Sequence, residues 1–104
     1  MAKVAVIAKI TALPGQRDEV VAVMNEIVMA AVKEEEGTLL YTLNLDKTNA
    51  DVIWFYELYA DDAALAAHGG SEAMKAAGGK LRDKAAGRPE ITLLELVDGK
   101  GLPL

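Results

Sequence analysis

The sequence predicts an α+β fold with the ferredoxin-like element order βαββααβ and a four-stranded antiparallel sheet. Segments dense in β-branched and aromatic residues alternate with segments whose apolar residues recur every three or four positions, which is the pattern of strands alternating with helices. The two middle strand segments are joined by the short polar run DKTNAD, as in an antiparallel hairpin. Helical segments on both sides of a hairpin match the split βαβ plan, in which the helices cover one face of the sheet.

The first strand and the first helix follow from two different periodicities. Val4–Thr11 (VAVIAKIT) is rich in β-branched residues and alternates with period two, which predicts a strand buried on at least one face. Pro14 and Gly15 then interrupt the chain. Gln16–Glu35 carries an apolar stripe with helical spacing, so this segment is predicted to form a long amphipathic helix.

The end of this helix combines a favourable and an unfavourable signal. Gly37 can adopt the left-handed conformation that commonly terminates a helix. Glu34, Glu35 and Glu36 place negative charge at the end of the helix where the dipole is also negative. We therefore expect all three carboxylates to lie in solvent.

The central part of the chain predicts a hairpin followed by two short helices. Thr38–Leu45 (TLLYTLNL) and Val52–Tyr59 (VIWFYELY) have the composition of paired strands. Asp61 is a suitable N-cap for the helix DAALAAH, which the glycine pair at 69–70 ends. Ser71 can cap the next helix, EAMKAAG.

The C-terminal part predicts one more strand. Residues 78–87 (GGKLRDKAAG) fit either a helix or a loop. After Pro89, residues 91–97 (ITLLELV) have the composition of a strand.

Both faces of the third and fourth strands are apolar, apart from the interruptions at Glu57 and Glu95. A sheet with one solvated face would alternate more cleanly. We therefore expect a homodimer in which two such sheets pack together and bury the second face. The sequence leaves open whether the tail Gly99–Leu104 is a dimer arm.

Size and composition indicate a single domain, residues 1–104. The 104 residues are 52% hydrophobic and 26% charged, which is typical of one globular domain. The net charge of −5 argues against nucleic acid or an anionic membrane as a partner. The chain has no cysteine and its N-terminal apolar run is too short for a membrane span, so we expect a cytoplasmic protein.

The segment YELYADDAALAAHGGSEAMKAA resembles the antibiotic biosynthesis monooxygenase superfamily of small dimeric α/β-barrel proteins. Those domains show an acidic-aromatic strand end, a short Ala-rich helix that ends in His, and a helix that starts with Ser. The corresponding positions are Glu57, Tyr59, Ala64, Ala67, His68 and Ser71. The opening KITALPGQRDEV is similar as well, so the resemblance covers the whole chain in element order. It implies a dimeric α/β barrel with a cavity between sheet and helices in each subunit.

The resemblance implies three kinds of activity. Members of the superfamily include cofactor-free oxygenases of quinols and polyketide phenols, isomerase-like enzymes that act on the autoinducer-2 signal, and haem-degrading enzymes. The haem-degrading branch uses Asn, Trp and His at the positions of Val6, His68 and Gly78, so none of the three is kept. The leading hypothesis is a cofactor-independent monooxygenase that oxidises a quinol or polycyclic phenol with O₂. The alternatives are an isomerase-like enzyme acting on a small carbonyl metabolite and a non-catalytic dimeric ligand-binding module.

The residue pattern predicts neither a metal nor a bound cofactor. A single histidine with scattered carboxylates does not have metal-ligand spacing. The glycine pairs at 69–70 and 78–79 do not follow a strand with GxGxxG spacing, so they do not predict a dinucleotide site.

His68 and Tyr59 are the candidate catalytic residues. A phenol that loses its proton can itself donate an electron to O₂, so the protein must supply a base, orient the ring and exclude water. Imidazole titrates near neutral pH, which makes His68 the natural base. The alternative is that His68 only closes its helix, where a cation meets the C-terminal dipole. A hydroxyl such as that of Tyr59 can hold a quinol oxygen or relay a proton.

Glu57 is a candidate substrate-binding residue because a carboxylate among strand aromatics must find a partner, reach solvent or take a raised pKa. The favoured structural explanation is an ion pair with Lys9, since strand one neighbours strand three in the 4-1-3-2 order of this plan. By the same parity argument, Glu95 can belong to the same polar cluster.

Three further residues are candidates for substrate binding. Trp54 and Tyr56 share one face of the third strand with Leu58, and the opposite face carries Glu57 and Tyr59. One face is expected to line the cavity and the other the dimer interface. The third candidate is Asn44, as a hydrogen-bond partner of the substrate, although its place near the hairpin favours solvent.

Overall fold

A computed structural model describes residues 2–102 and has the predicted α+β fold. The strands are β1 (Val4–Thr11), β2 (Thr38–Leu45), β3 (Val52–Tyr59) and β4 (Glu90–Glu95). The first helix, α1, continues through an α-helical part (Arg17–Val23), a π-helical part (Met24–Met29) and a final α-helical turn (Ala30–Val32). The other two helices are α2 (Asp62–Gly69) and α3 (Glu72–Leu81). The predicted order βαββααβ is confirmed.

The four strands form one antiparallel sheet in the order β2-β3-β1-β4, which is the order that the ferredoxin-like plan predicts. Glu57 of β3 lies opposite Val6 of β1 and opposite Tyr41 of β2. Lys9 lies opposite Trp54. Because directly opposite residues share a face, this register decides which side chains meet.

The helices pack on one face of the sheet. Val6 and Ile10 of β1 and Ile53 and Phe55 of β3 point toward them and are at most 5% exposed. The apolar stripe of α1 completes this core with Val20, Met24, Val28 and Val32. We call the opposite surface the outer face; it carries Ala5, Ile7 and Lys9 of β1 and Trp54, Tyr56 and Leu58 of β3.

The end of α1 differs from the prediction at two points. The helix ends at Val32, before the predicted Glu35. Gly37 is not in the left-handed region, which among the described glycines is occupied by Gly15, Gly87 and Gly101. Gly37 has a different role: a Cβ atom built on it would lie 2.5 Å from the Cβ of Ala64 in α2. The missing side chain therefore allows the start of β2 to approach α2 closely.

Both predicted N-caps are confirmed. The Asp61 carboxylate accepts a hydrogen bond from the backbone N–H of Ala64 at 2.8 Å, and the Ser71 hydroxyl accepts one from the N–H of Met74 at 3.2 Å. These bonds satisfy amides that the first turn of each helix leaves without an intrahelical partner.

The remaining C-terminal segments resolve what the sequence left ambiguous. The helix α3 runs on to Leu81, so the start of the 78–87 segment is helical. Strand β4 ends at Glu95, two residues before the end predicted for it. Leu102 lines a cavity on the outer face of the sheet of its own chain. The last two residues of the proposed dimer arm lie outside the described residues.

None of the helices within residues 2–102 is both long enough and apolar enough to cross a membrane.

Candidate functional site

Five side chains that carry acidic, phenolic or imidazole groups meet on the helix side of the sheet. We call them the buried polar cluster: Glu35, Tyr41, Glu57, Tyr59 and His68. Strand β2 supplies one of the tyrosines, β3 the other tyrosine and one glutamate, α2 the histidine, and the turn after α1 the second glutamate. The cluster therefore draws on four separate parts of the chain.

His68 is the central residue of this cluster and is only 5% exposed. It lies in the last turn of α2, as the helix-closing alternative requires, but its ring is buried toward the sheet. Its Nδ1 atom is 2.9 Å from Oε1 of Glu35. The rings of Tyr41 and Tyr59 flank the imidazole, with centroid distances of 5.2 and 5.4 Å.

The other ring nitrogen of His68, Nε2, makes no hydrogen bond within the described chain. In that part of the chain, no side-chain nitrogen or oxygen that is closed off from solvent lacks a partner. Nε2 therefore retains a small solvent-accessible surface, whereas Nδ1 is engaged by the protein. This asymmetry leaves one nitrogen free to meet a ligand.

Glu35 corrects the expectation that all three glutamates after α1 lie in solvent. Glu34 and Glu36 are exposed, but the side chain of Glu35 is only 23% exposed. Its Oε1 accepts a hydrogen bond from the Thr38 hydroxyl at 2.6 Å in addition to the contact with His68. The reason is that α1 ends three residues earlier, so Glu35 lies in the turn toward β2 rather than at the end of the helix dipole.

Glu57 and Tyr59 form a second pair within the cluster. The Tyr59 hydroxyl donates a hydrogen bond to Oε1 of Glu57 at 2.5 Å. Burial raises the pKa of Glu57 above its ordinary value, against the opposing effects of the Tyr59 hydrogen bond and of His68. Burial also raises the pKa of Tyr59, and the hydrogen bond and charge of Glu57 raise it further. Tyr59 is therefore a neutral hydroxyl at physiological pH.

Tyr41 is the second tyrosine that packs beside the imidazole. Burial raises the pKa of Tyr41 well above the ordinary range of a phenol, and the charges of Glu57 and Glu35 act in the same direction. Its hydroxyl is also protonated at physiological pH, so both phenols that pack beside the imidazole are neutral.

The predicted ion pair between Lys9 and Glu57 is wrong. Lys9 lies on the outer face, opposite Trp54, whereas Glu57 faces the helices. The Lys9 Nζ atom is 3.8 Å from Oε2 of Glu90 and 5.5 Å from the centre of the Trp54 ring. Lys9 and Glu57 lie on neighbouring strands of the sheet, but the pleat directs their side chains to opposite faces.

Glu95 does not join the buried polar cluster. It lies opposite Val4 of β1 and is exposed. Glu57 lies opposite Val6, two positions after Val4 on β1. Because β1 lies between β3 and β4, the two carboxylates are on opposite sides of β1. The parity argument placed Glu95 on the correct face, but no helix covers β4 there.

Trp54, Tyr56 and Asn44 lie on the outer face and not with His68. The Trp54 indole donates to Oδ2 of Asp46 at 2.8 Å, and this bond is the main cause that lowers the pKa of Asp46. The Asn44 amide donates to the backbone oxygen of Trp54 at 3.1 Å. Tyr56 is 59% exposed. The three predicted residues line one cavity of about 630 Å³ at the hairpin end of the outer face.

A separate cavity lies at the end of the sheet where α2 begins. Its volume is about 410 Å³, and it is lined by residues that include Val4, Ala63 and Leu93. Val4 is the direct strand partner of Tyr59, so the cavity is next to the buried polar cluster, although no cluster residue lines it. On the same side of the sheet Ile91 and Leu93 of β4 are 62% and 60% exposed, which leaves an open groove along β4.

Residues 2–102 contain no group of three histidine, aspartate or glutamate side chains placed to hold a metal ion. The cluster has one imidazole and two carboxylates. Glu35 bonds to the imidazole, whereas Glu57 bonds to Tyr59, so the three groups do not converge on one point.

Sequence reasoning missed Glu35, Tyr41 and Thr38 as members of the site. Tyr41 has the same parity as Leu43 and Leu45, so it reads as an ordinary core position of β2. One signal did point to Glu35: three successive carboxylates at the end of a helix are unfavourable, and such a placement calls for a compensating partner.

Comparison with known proteins decides the family. The sequence model of the antibiotic biosynthesis monooxygenase family matches residues 3–80. The chain belongs to this family. The matched segment contains every residue of the buried polar cluster.

Solved structures with the same fold are similar over nearly the whole chain. A candidate antibiotic biosynthesis monooxygenase from Caulobacter crescentus CB15 is 33% identical, with a TM-score of 0.86 over 93% of this chain and 92% of that chain. Protein PA3566 from Pseudomonas aeruginosa is 26% identical, with a TM-score of 0.85 over 94% of this chain and 97% of that chain. No curated protein matches the sequence. These similarities confirm the fold and the family expected from the sequence.

Proposed function

We propose that this family member is a cofactor-independent monooxygenase that oxidises a quinol or a polycyclic phenol with O₂, and that His68 is its base. The observation that carries the proposal is the buried imidazole, which is held at Nδ1 and free at Nε2. A base in this setting can remove the phenol proton at Nε2 and leave an electron-rich phenolate. The phenolate then donates an electron to O₂, and exclusion of water protects the reactive species.

Tyr59 and Glu57 are proposed to hold the substrate oxygen and to accept or return the proton. The Tyr59 hydroxyl already donates to Glu57, so its oxygen has a lone pair available to a substrate hydroxyl. No residue of the buried polar cluster lines the cavity beside Val4, so a substrate there reaches this hydroxyl only if the side chains between cavity and cluster move.

The substrate-binding roles of Trp54, Tyr56 and Asn44 remain a prediction. These residues share a cavity on the outer face, away from His68. Their position suits a contact made across a dimer interface better than a contact with the reacting atoms.

A homodimer is proposed because the outer face carries exposed apolar side chains. A second cavity on this face, of about 380 Å³, is lined almost entirely by apolar residues that include Leu58, Leu94 and Leu96. Tyr56 is 59% and Leu94 43% exposed beside it. Each Å² of apolar surface that a second copy covers contributes roughly 25 cal/mol, and two identical faces can pack with two-fold symmetry.

One observation favours a second candidate function. Two acidic side chains lie near a single imidazole: Glu35 bonds to its Nδ1 atom, and Glu57 accepts a hydrogen bond from Tyr59, whose ring packs beside the imidazole. Such an arrangement suits proton transfer without O₂. An isomerase-like reaction on a small carbonyl metabolite is therefore the alternative.

Oxygen uptake separates the two candidates. The purified protein is incubated with a panel of hydroquinones and anthrones in an oxygen electrode, beside His68→Gln and the control Glu34→Gln, whose carboxylate is exposed. We expect uptake by the parent protein and by Glu34→Gln, and a loss of roughly 10²-fold or more in His68→Gln. No uptake with any phenol, or equal uptake by His68→Gln, would reject the proposed monooxygenase.

A further inference from the structure

We infer that Glu35 is a positioning residue, which fixes the His68 ring in the tautomer that carries its proton on Nδ1 and presents the Nε2 lone pair to the substrate. The inference rests on the proposed function for its catalytic meaning. Its physical content, the position of one proton, holds for the protein without substrate.

The contact geometry gives Glu35 this role. Its Oε1 is 2.9 Å from Nδ1 of His68, within hydrogen-bond distance. The same Oε1 atom accepts a hydrogen bond from the Thr38 hydroxyl, so it acts as an acceptor and the bonded nitrogen of His68 is the donor. In a neutral imidazole the other nitrogen is then the acceptor, because the hydrogen bond at one nitrogen sets the tautomer of the ring.

The carboxylate is itself held in place. Its Oε1 also accepts a hydrogen bond from the Thr38 hydroxyl at 2.6 Å, and the backbone N–H of Thr38 bonds to the carbonyl oxygen of Glu35 at 3.2 Å. Thr38 is the first residue of β2. The carboxylate is therefore tied to the sheet and not only to the turn after α1.

Close backbone contact brings this turn to α2. The Cβ position of Gly37 lies 2.5 Å from the Cβ of Ala64, one helical turn before His68. The Ala60 N–H donates to the Gly37 carbonyl oxygen at 2.9 Å. A side chain at Gly37 would force the turn and α2 apart, and the Glu35 carboxylate would move away from the imidazole.

The other groups that face His68 do not compete for Nδ1. Glu57 accepts its hydrogen bond from Tyr59, and within residues 2–102 no hydrogen bond joins Glu57 to His68. The rings of Tyr41 and Tyr59 pack beside the imidazole in tilted arrangements, at interplanar angles of 52° and 42°. Glu35 is thus the polar group that distinguishes one ring nitrogen from the other.

Nitrogen NMR of the imidazole tests the inference directly. His68 is the only histidine of the chain, so the ring ¹⁵N signals need no assignment by mutation. The spectrum is recorded without substrate, at a pH where the imidazole is neutral. We expect a proton on Nδ1 and an unprotonated Nε2 in the parent protein, and a shift of the proton to Nε2 in Glu35→Ala. Glu34→Gln, in the exposed neighbour, should leave the parent spectrum unchanged.

Two results would overturn the inference. One is a parent spectrum with the proton on Nε2, which needs no variant and remains informative even if Glu35→Ala does not fold. The other is a folded Glu35→Ala protein that retains the parent tautomer. Since both are read without turnover, failure of this inference and failure of the monooxygenase proposal are separate results.

Kinetics then connects the tautomer to activity. With a phenol substrate, Glu35→Ala should lower kcat by roughly 10²-fold while KM changes far less, because the proposed substrate meets His68 at Nε2 and Glu35 bonds to Nδ1. A Glu35→Ala protein that loses stability but keeps the kcat of the parent protein would show a purely structural role and would contradict the inference, and the exposed Glu34→Gln control should change neither quantity.

Discussion

At the scale of single residues, the side chains of the buried polar cluster bond to one another where burial has removed water. His68 has a carboxylate at one nitrogen, and Glu57 has a phenolic donor at one oxygen. Buried polar groups are tolerated when each has a partner, and within residues 2–102 every side-chain nitrogen or oxygen that is closed off from solvent has one. Glu57 nevertheless has a raised pKa because the single hydrogen bond does not replace the water that burial removes.

The raised pKa of Glu57 predicts a pH dependence of stability. In the window that begins near its ordinary value of 4.5, the native state holds a proton that the unfolded state has lost. The native contribution of Glu57 is therefore complete at lower pH and declines as pH rises, by at most about 1.4 kcal/mol per pH unit for one proton. Glu57→Gln mimics the protonated form and should not show this decline.

Urea denaturation from pH 4 upward, in steps of roughly half a pH unit, measures the difference in the free energy of unfolding between the parent protein and Glu57→Gln. Glu57→Gln should gain stability relative to the parent protein as pH increases, and Glu36→Gln, in an exposed residue, should not. A difference between Glu57→Gln and the parent protein that is independent of pH would contradict the raised pKa.

At the scale of elements, the turn between α1 and β2 places the site. Its approach to α2 depends on the absence of a side chain at Gly37, which lies against Ala64. The N-cap at Asp61 sets where α2 begins, and seven residues later His68 faces the sheet. A long-range contact and a local cap therefore act together to bring His68 and Glu35 into hydrogen-bond distance.

Gly37→Ala tests the close approach. The added methyl group has 2.5 Å to the nearest side-chain carbon, so we expect a loss of about 1–3 kcal/mol in the free energy of unfolding. The matched control is Gly78→Ala in α3, where a methyl group meets no atom within 4 Å. Because alanine favours a helix over glycine, the control should gain roughly 0.5–1 kcal/mol.

Denaturation of Gly37→Ala and Gly78→Ala at one protein concentration measures whether each substitution lowers or raises the free energy of unfolding. Ala64→Gly removes the opposing methyl group, so Gly37→Ala should cost less stability when it is made in Ala64→Gly than when it is made in the parent protein. Equal stability of Gly37→Ala and the parent protein would show that the turn and α2 do not depend on this contact.

The same elements show what a sequence can predict here. The bounds of β1, β2 and β3 and the caps at Asp61 and Ser71 depend on local signals, and they were predicted correctly. The predicted partner of Glu57 was wrong because parity within one strand does not fix the face of a residue on the next strand. That face depends on the register, which only the folded sheet defines.

At the scale of the whole molecule, the uneven cover of the sheet is the main feature. Helices bury the face that carries Val6 and Phe55, while Tyr56 and Leu94 on the outer face remain exposed. The sequence predicted this excess of apolar strand residues, because the third and fourth strands do not alternate regularly between apolar and polar residues. What composition does not define is the surface that covers the outer face.

The homodimer proposal predicts an effect of charge on the outer face. Leu94→Asp places an acid on the apolar surface and should convert a dimer into a monomer, because a buried unpaired charge is strongly unfavourable. The control Leu13→Asp makes the same change at a 38% exposed residue in the loop after β1 and should remain dimeric. Sedimentation at micromolar concentration measures both, and a monomeric parent protein would reject the proposed dimer.

The central claim is that His68 removes a proton from a bound phenol at Nε2. Absorbance of a hydroquinone or anthrone mixed with the protein under strictly anaerobic conditions measures this step alone, since the phenolate forms and cannot react onward. We predict a phenolate spectrum with the parent protein and the spectrum of the neutral phenol with His68→Gln at the same bound fraction. A phenolate spectrum of equal intensity with His68→Gln would contradict the account.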